Sequence, residues 1–259
     1  MPPKGGFLLT MSTKSTTFEN FAREYDLQMG SEGDYCHKNL IDPILFKCAR
    51  RIEGKRIYDI GCGNGYLDKI LISKQAKSIL ASDISESLIE IANQKHSHPD
   101  ISYIVRLGDD FTDINVSEFD LVLLNMVIHY IPDLNQFASN ISRVLDQGGR
   151  LAFTTSHPMN LMRLHRVNSV LSEDPQLTKL EERVESYLSE QVTQVSWGSW
   201  KELTVYQRPI SSYIKAFTQS GLVLDSFYES PTEYPLADGT VFRSNVPMFM
   251  GFGFQKLFN

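Results

Sequence analysis

The segment Asp59-Ile60-Gly61-Cys62-Gly63-Asn64-Gly65-Tyr66-Leu67 carries three glycines at alternate positions, beginning two residues after an acid. Glycines so spaced allow a tight turn and close approach of a ligand to the backbone. The N–H groups that open the following helix would face that ligand. A dinucleotide pyrophosphate calls for Gly-x-Gly-x-x-Gly. Here Tyr66 takes the place of the third glycine, and Gly65 comes one residue early. Asp59 stands where it could accept hydrogen bonds from an ammonium group or orient the loop. The pattern favours a zwitterionic ligand without phosphate. Two histidines, His129 and His157, add groups whose ordinary titration range suits proton removal near neutrality. Arg208, in Tyr206-Gln207-Arg208-Pro209, could hold a carboxylate or phosphate by paired hydrogen bonds, or brace a neighbouring segment through an acid.

These residues need a frame, and the hydropathy pattern predicts one. From about residue 55 to 155, short apolar runs alternate with helix-period segments, as in successive βαβ units around a parallel sheet. The expected strands are 56–60, 78–82, 101–105, 119–124 and 150–155. A helix is expected after Ser85 as N-cap. Another should follow Asp133 and end at Gly148-Gly149. Phe18, Phe21 and Tyr25 recur at helical spacing, as do Leu40, Ile44 and Phe46-Cys48 less cleanly, so two helices should precede the first strand and pack over the sheet edge or its crevice. Beyond the fifth strand, 158–207 shows no strand until 202–206, and Leu177, Leu180, Val184, Tyr187 and Leu188 form a helical stripe. A helix over 210–220 ended by Gly221, then strands 222–228 and 246–254 joined by a Pro/Gly loop, complete the pattern.

The glycine segment between strand and helix resembles the first motif of class I S-adenosylmethionine-dependent methyltransferases, which commonly runs Asp-x-Gly-x-Gly-x-Gly. The likeness covers most of 55–155 and resumes over 206–256. It implies an α/β fold: a Rossmann-like, seven-stranded, mostly parallel sheet with helices on both faces, an antiparallel last strand and a cap insertion. By the same resemblance the cofactor is S-adenosylmethionine, leaving as S-adenosylhomocysteine, and its site is expected to comprise Tyr25, Asp59, Gly61, Cys62, Gly63, Asn64, Gly65, Asp83, Ile84, Asp109, Asp110, Phe111, Asn125 and Met126. Asp83 matches the acid that accepts both ribose hydroxyls. Asp109 matches the one that takes the adenine amino group, with the next residue flanking the ring. His129 matches a frequent family histidine. His157-Pro158 and Tyr206-Gln207-Arg208-Pro209 resemble one small-molecule branch, where the latter closes the acceptor pocket. Tyr130, Trp197, Trp200, Tyr206 and Arg208 are the expected acceptor-binding residues, with His129 and His157 as candidate bases. A base is needed only if the acceptor must lose a proton.

Bulk properties narrow the function further. The chain has 259 residues, 42% hydrophobic and 22% charged, with a formal net charge of −6, which disfavours nucleic acid as a partner. The Asn-Pro-Pro-Tyr signature of exocyclic-amine methyltransferases is absent after the fourth strand, where Asn125-Met126-Val127-Ile128 stands. No acidic cluster there suits a magnesium-dependent enzyme, so no metal is expected. Three cysteines without paired spacing fit a reducing cytoplasm, and no apolar run approaches the roughly 20 residues that span a bilayer. The expected organisation is a disordered leader at 1–16, N-terminal helices and cofactor core at 17–157, a cap insertion at 158–207 and the rest of the core sheet at 208–259. The leading function is methyl transfer to an oxygen or nitrogen of a small metabolite or short peptide. A nicotinamide-dependent oxidoreductase and a non-catalytic cofactor-binding protein of the same fold stand as alternatives.

Overall fold

The computed structural model describes residues 12–159, 187–197, 200–236 and 238–258. In chain order the helices are α1 (Ser12–Met29), α2 (Asp42–Ala49), α3 (Tyr66–Ser73), α4 (Glu86–His96), α5 (Leu134–Val144) and α6 (Ile210–Gln219). The strands are β1 (Arg56–Ile60), β2 (Ser78–Asp83), β3 (Ile101–Val105), β4 (Phe119–Asn125), β5 (Leu145–Ser156), β6 (Gln191–Trp197), β7 (Trp200–Gln207), β8 (Leu222–Pro235) and β9 (Val241–Lys256). A π-turn at His37–Ile41 leads into α2, and a 3-10 turn at Ile128–Tyr130 follows β4.

One seven-stranded sheet runs in the order β3-β2-β1-β4-β5-β9-β8. The first five strands in that order are parallel, while β9 is antiparallel to both β5 and β8. This is the expected Rossmann-like sheet with its antiparallel last strand. Central strands covered on both faces read as continuous apolar runs, as Leu121–Leu124 does, all fully buried. Alternate residues feed two cores. Tyr58, Val122, Phe153 and Phe252 face α5 and α6, whereas Ile57, Leu121, Leu123 and Ala152 face α2 and α3. At the centre of the first, the Phe153 and Phe252 rings stack 4.8 Å apart. Chain direction across the sheet reverses between β1 and β4, and that switch opens the crevice at the strands' carboxyl ends where ligands bind in open α/β sheets.

The structure corrects several boundaries. α1 starts at Ser12, so the last part of the stretch expected as leader is helical. Helix α5 stops at Val144 rather than at Gly148-Gly149, because Leu145 turns extended (φ −70, ψ 135) and already pairs with Phe119. Gly148, at φ +72, instead lets β5 bend before it rejoins β4 at Arg150. β8 and β9 run well past their expected ends, pairing out to Pro235 and Val241. Proline suggests a loop, but β8 is an edge strand, where a missing N–H costs no ladder bond, and register shifts around Pro231 absorb its ring. The strand expected at 202–206 is part of β7, and its antiparallel partner β6 lies where no strand was expected. Of the expected helical stripe, Tyr187 and Leu188 sit in a turn, and its other positions lie outside the described residues. Among the described residues no helix is long and apolar enough to cross a membrane, and no group of three metal-ligating side chains occurs.

Candidate active site

The glycine loop joins β1 to α3 at the switch point. Gly61, Gly63 and Gly65 have φ of +76, +58 and +79. The N–H groups of Gly61 and Cys62 donate to the Ser82 carbonyl at 2.7 and 2.9 Å, tying the loop to the end of β2. One residue on, Asp83 accepts from Gly63 N through Oδ2 and from Ser85 N through Oδ1, both at 2.9 Å. Burial raises its pKa, against the pull of the Ser85, Gly63 and Ile84 amides. Asp83 is thereby held rigidly beside the loop with lone pairs left for a diol. Ser85 caps α4, accepting from Leu88 N at 3.2 Å. A Cβ at Gly63 would lie 2.8 Å from the Tyr25 ring. Glycine here is needed because α1 packs on the loop, and not only because a ligand approaches it.

Two side chains of α1 hold that cover in place. Glu19 accepts from Ser85 Oγ at 2.7 Å and Ser87 N at 3.2 Å, and also contacts Ser87 Oγ. Asp26 accepts from Asn64 Nδ2 at 3.0 Å and pairs with Lys95 at 2.6 Å. Asn64 Nδ2 donates further to Gly30 O at 2.9 Å. The Asn64 side chain, expected on the cofactor, therefore anchors α1 through Nδ2, while its Oδ1 accepts from Tyr66 N at 3.4 Å within the loop. Cys62 is buried and its thiol lies 3.8 Å from Gly63 O, with its pKa pushed well up by burial.

Beneath the loop, Asp59 and Asp68 form a buried acid pair. They are 1% and 0% exposed, and the Tyr103 hydroxyl lies against Asp68. Burial drives both pKa values up, Asp59 to about 7, so Asp68 keeps its proton and donates it to Asp59. A group whose folded pKa lies above its unfolded value stabilises most below the unfolded pKa, and that stability is lost as pH rises through the folded one. The pair should thus cost stability between about pH 4 and 7. Asp68→Asn supplies a permanent donor and removes the second acid. Urea midpoints should show the variant gaining on the wild type by at least about 1.4 kcal/mol, one pKa unit, between pH 5 and pH 8. Parallel curves would sink the shared-proton account. Asp68 was legible in principle, since it shares the apolar helical face of Leu71 and Ile72.

At the end of β4, Asn125 donates to Asp42 Oδ1 at 2.8 Å and Tyr66 OH at 3.1 Å, and accepts from Thr154 Oγ1 at 2.6 Å. Its amide is committed to this network, so Asn125 positions the crevice wall rather than offering its side chain to a cofactor. Met126 follows at φ +61, a conformation costly for a side-chain-bearing residue, and its N–H donates to Thr154 Oγ1 at 3.1 Å. After β3, Asp109 is exposed, whereas Asp110 accepts from Thr112 N at 2.9 Å and closes a local turn. Phe111, expected at the cofactor, is 7% exposed and packs edge-on against Tyr58 and Phe137. It is a core residue, because the chain dives inward immediately after Asp110.

The expected acceptor side gathers His129, Tyr130 and Arg208. His129 Nδ1 lies 3.1 Å from Thr155 Oγ1, and loss of solvent around the ring, with the Arg208 charge second, brings its pKa down to about 4. Tyr130 meets Phe18 of α1 edge-on at 5.2 Å. Arg208 lies over the Tyr206 ring at 5.2 Å. His157 is set differently: Nδ1 accepts from Met159 N at 3.1 Å, and Nε2 lies 2.8 Å from Glu229 Oε1, off the ideal line. Both ring nitrogens face protein, so His157 reads as a support for the chain leaving β5. Trp197 and Trp200 pair across the β6–β7 turn, and their side chains lie outside the described residues. Thr155 and Tyr213, unnoticed in the sequence, belong to this cluster, since nothing local marks a threonine or a helical tyrosine as functional.

A family profile described as a methyltransferase domain matches residues 58–153, the stretch from β1 to β5 that carries the glycine loop and its acid clamp. Over that stretch the chain is similar to methyltransferase domains. A ubiquinone biosynthesis O-methyltransferase of Coxiella burnetii is 25% identical over 154 residues, 57% of this chain and 65% of its own length. A malonyl-[acyl-carrier protein] O-methyltransferase of Acetivibrio thermocellus is 28% identical over 149 residues, 57% of this chain and 50% of its own. The aligned part thus spans less than two thirds of either relative. Among solved structures, an S-adenosylmethionine-dependent methyltransferase from Mesorhizobium loti superposes with a TM-score of 0.58 at 19% identity, covering 82% of this chain and 96% of that one. The last likeness carries the fold. The profile match favours methyl transfer over the nicotinamide oxidoreductase reading.

Proposed function

We propose that the protein transfers a methyl group from S-adenosylmethionine to an oxygen or nitrogen of a small metabolite or short peptide. The observation that carries this reading is the glycine loop clamped by Asp83 at the sheet's switch point. The residues there fit the cofactor: Asp83 offers lone pairs to a ribose diol, and Asp59 is a buried acid without a cationic partner beside the loop. Residues 17–157 and 208–259 then form the catalytic core; of the segment expected as a cap, 158–207, residues 160–186 and 198–199 lie outside the described residues. Likeness to two O-methyltransferases supports an oxygen acceptor. The three free cysteines, Cys36, Cys48 and Cys62, fit a reducing cytoplasm.

The cofactor, when bound, supplies both the methyl group and its leaving group, so catalysis by the protein is chiefly alignment, a contribution on the order of 7 to 11 kcal/mol in favourable intramolecular cases. Asp83 accepts the ribose hydroxyls, the side-chain-free glycine loop lets the nucleoside approach, Asp109 accepts from its base, and Tyr130 with α1 keeps water out. His129, neutral at physiological pH, accepts a proton from an acceptor hydroxyl or amine. Calorimetry with S-adenosylhomocysteine and with NAD tests the cofactor: saturable binding of the first and none of the second is expected. Turnover of S-adenosylmethionine to S-adenosylhomocysteine across a phenol, carboxylic acid and amine panel tests the activity. Binding without turnover on any acceptor would favour a non-catalytic role.

A further inference from the structure

Arg208 lies between β7 and α6, and its side chain is 1% exposed. Nη2 donates to the Ile131 and Pro132 carbonyls, each at 2.8 Å, and Nε lies 3.3 Å from Glu190 Oε2. These contacts brace the turn after β4. They leave Nη1, which is buried and has no hydrogen-bond partner among the described residues. Buried donors are almost always satisfied, and an exception on a charged group calls for an explanation. Charge balance sharpens the point. The counter-ion Glu190 is 55% exposed and reaches only Nε, so much of its field is spent in water.

The groups around the guanidinium define what would satisfy it. Its charge is felt at His129, and it acts with Thr155 on the Tyr213 hydroxyl, which burial pushes up to about 12. Thr155 Oγ1 in turn meets His129 Nδ1. Arg208, Tyr213, Thr155 and His129 thus form one polar strip at the carboxyl ends of β4 and β5, the side of the crevice where the acceptor should lie. The strip holds one permanent cation, one phenol that stays protonated, and a histidine that stays neutral.

We propose that the acceptor carries a carboxylate, received by Nη1 of Arg208 together with the Tyr213 hydroxyl, so that Arg208 selects the acceptor as well as bracing the fold. The inference rests on the methyltransferase reading, since it names the acceptor class of that same site. Two donors match the two oxygens of a carboxylate. A phosphate dianion would need more donors and more positive charge than one partly paired guanidinium supplies.

The test uses the full chain saturated with S-adenosylhomocysteine, titrated calorimetrically with acetate, benzoate and decanoate, each beside its primary amide, and with phenyl phosphate. At least one acid should bind tenfold or more tightly than its amide, and more tightly than phenyl phosphate. Arg208→Lys should weaken that acid about tenfold, and Tyr213→Phe, which leaves the bracing bonds intact, about threefold or more. S-adenosylhomocysteine affinity should change less than twofold in both. The proposal is overturned if no acid exceeds its amide, if phenyl phosphate binds best, or if both variants bind the acid as the wild type does. Failure of the wild type to bind S-adenosylhomocysteine would instead overturn the methyltransferase reading itself.

Discussion

His129→Ala is expected to lower turnover about 10²-fold, at the modest end of the range for a lost general base, with S-adenosylmethionine affinity held within about twofold. The modest figure follows from the ring's setting. With its pKa near 4, His129 is unprotonated and ready to accept, but it is a weaker base than an ordinary histidine. Its Nδ1 meets Thr155 Oγ1, which fixes the ring and leaves Nε2 to the acceptor. The pH profile carries the signature. Turnover of the wild type should show no limb from this ring near pH 6.5, and should fall only as pH drops towards 4. The loss in the variant should shrink as pH rises, because an acceptor that ionises unaided no longer needs the imidazole. His157→Ala should behave otherwise, lowering stability more than turnover, since both its nitrogens serve the chain around β5 and Glu229. Turnover of His129→Ala within a few-fold of wild type would remove the histidine from the mechanism and leave alignment alone.

Asp83→Ala should weaken S-adenosylmethionine binding by roughly 1.5 to 3 kcal/mol, the range for charge-assisted hydrogen bonds to a buried acceptor. That is about ten- to 150-fold in the dissociation constant. Two losses combine. The ribose loses its acceptor, and the Gly63 and Ser85 amides lose the carboxylate that positions them. Asp83→Asn separates these, because an amide oxygen still accepts one backbone N–H and keeps the loop in place. It should fold with wild-type stability within about 1 kcal/mol, the scale of one net hydrogen bond, yet still bind several-fold more weakly. Because burial raises the Asp83 pKa, wild-type affinity should decline as pH falls from neutrality toward the carboxylate range, and the Asn variant should lack that decline. Calorimetry between pH 5 and 8 reads both effects. Unchanged affinity in a folded Asp83→Ala would refute the role.

Much of this fold is local in origin, and so was legible in the chain. Strands β1, β2 and β4 are short apolar runs whose pattern depends on being covered on both faces. Ser85 and Asp133 announce helix starts because a cap acts within four residues of itself. The glycine loop declares itself because left-handed backbone demands a residue type at stated positions. What a side chain does once placed is another matter, since it depends on neighbours far away in sequence. Asn64 turned out to hold α1 through Asp26 and Gly30, and Asn125 to face Asp42, 83 positions away. Phe111 went to the core, and the long pairing of β8 with β9 overrode its prolines because an edge strand has hydrogen-bonding positions to spare. The Asp59–Asp68 pair and the unpartnered nitrogen of Arg208 exist only in the folded chain: local sequence sets which groups are present, but only tertiary packing decides which of them lose water and which find a partner.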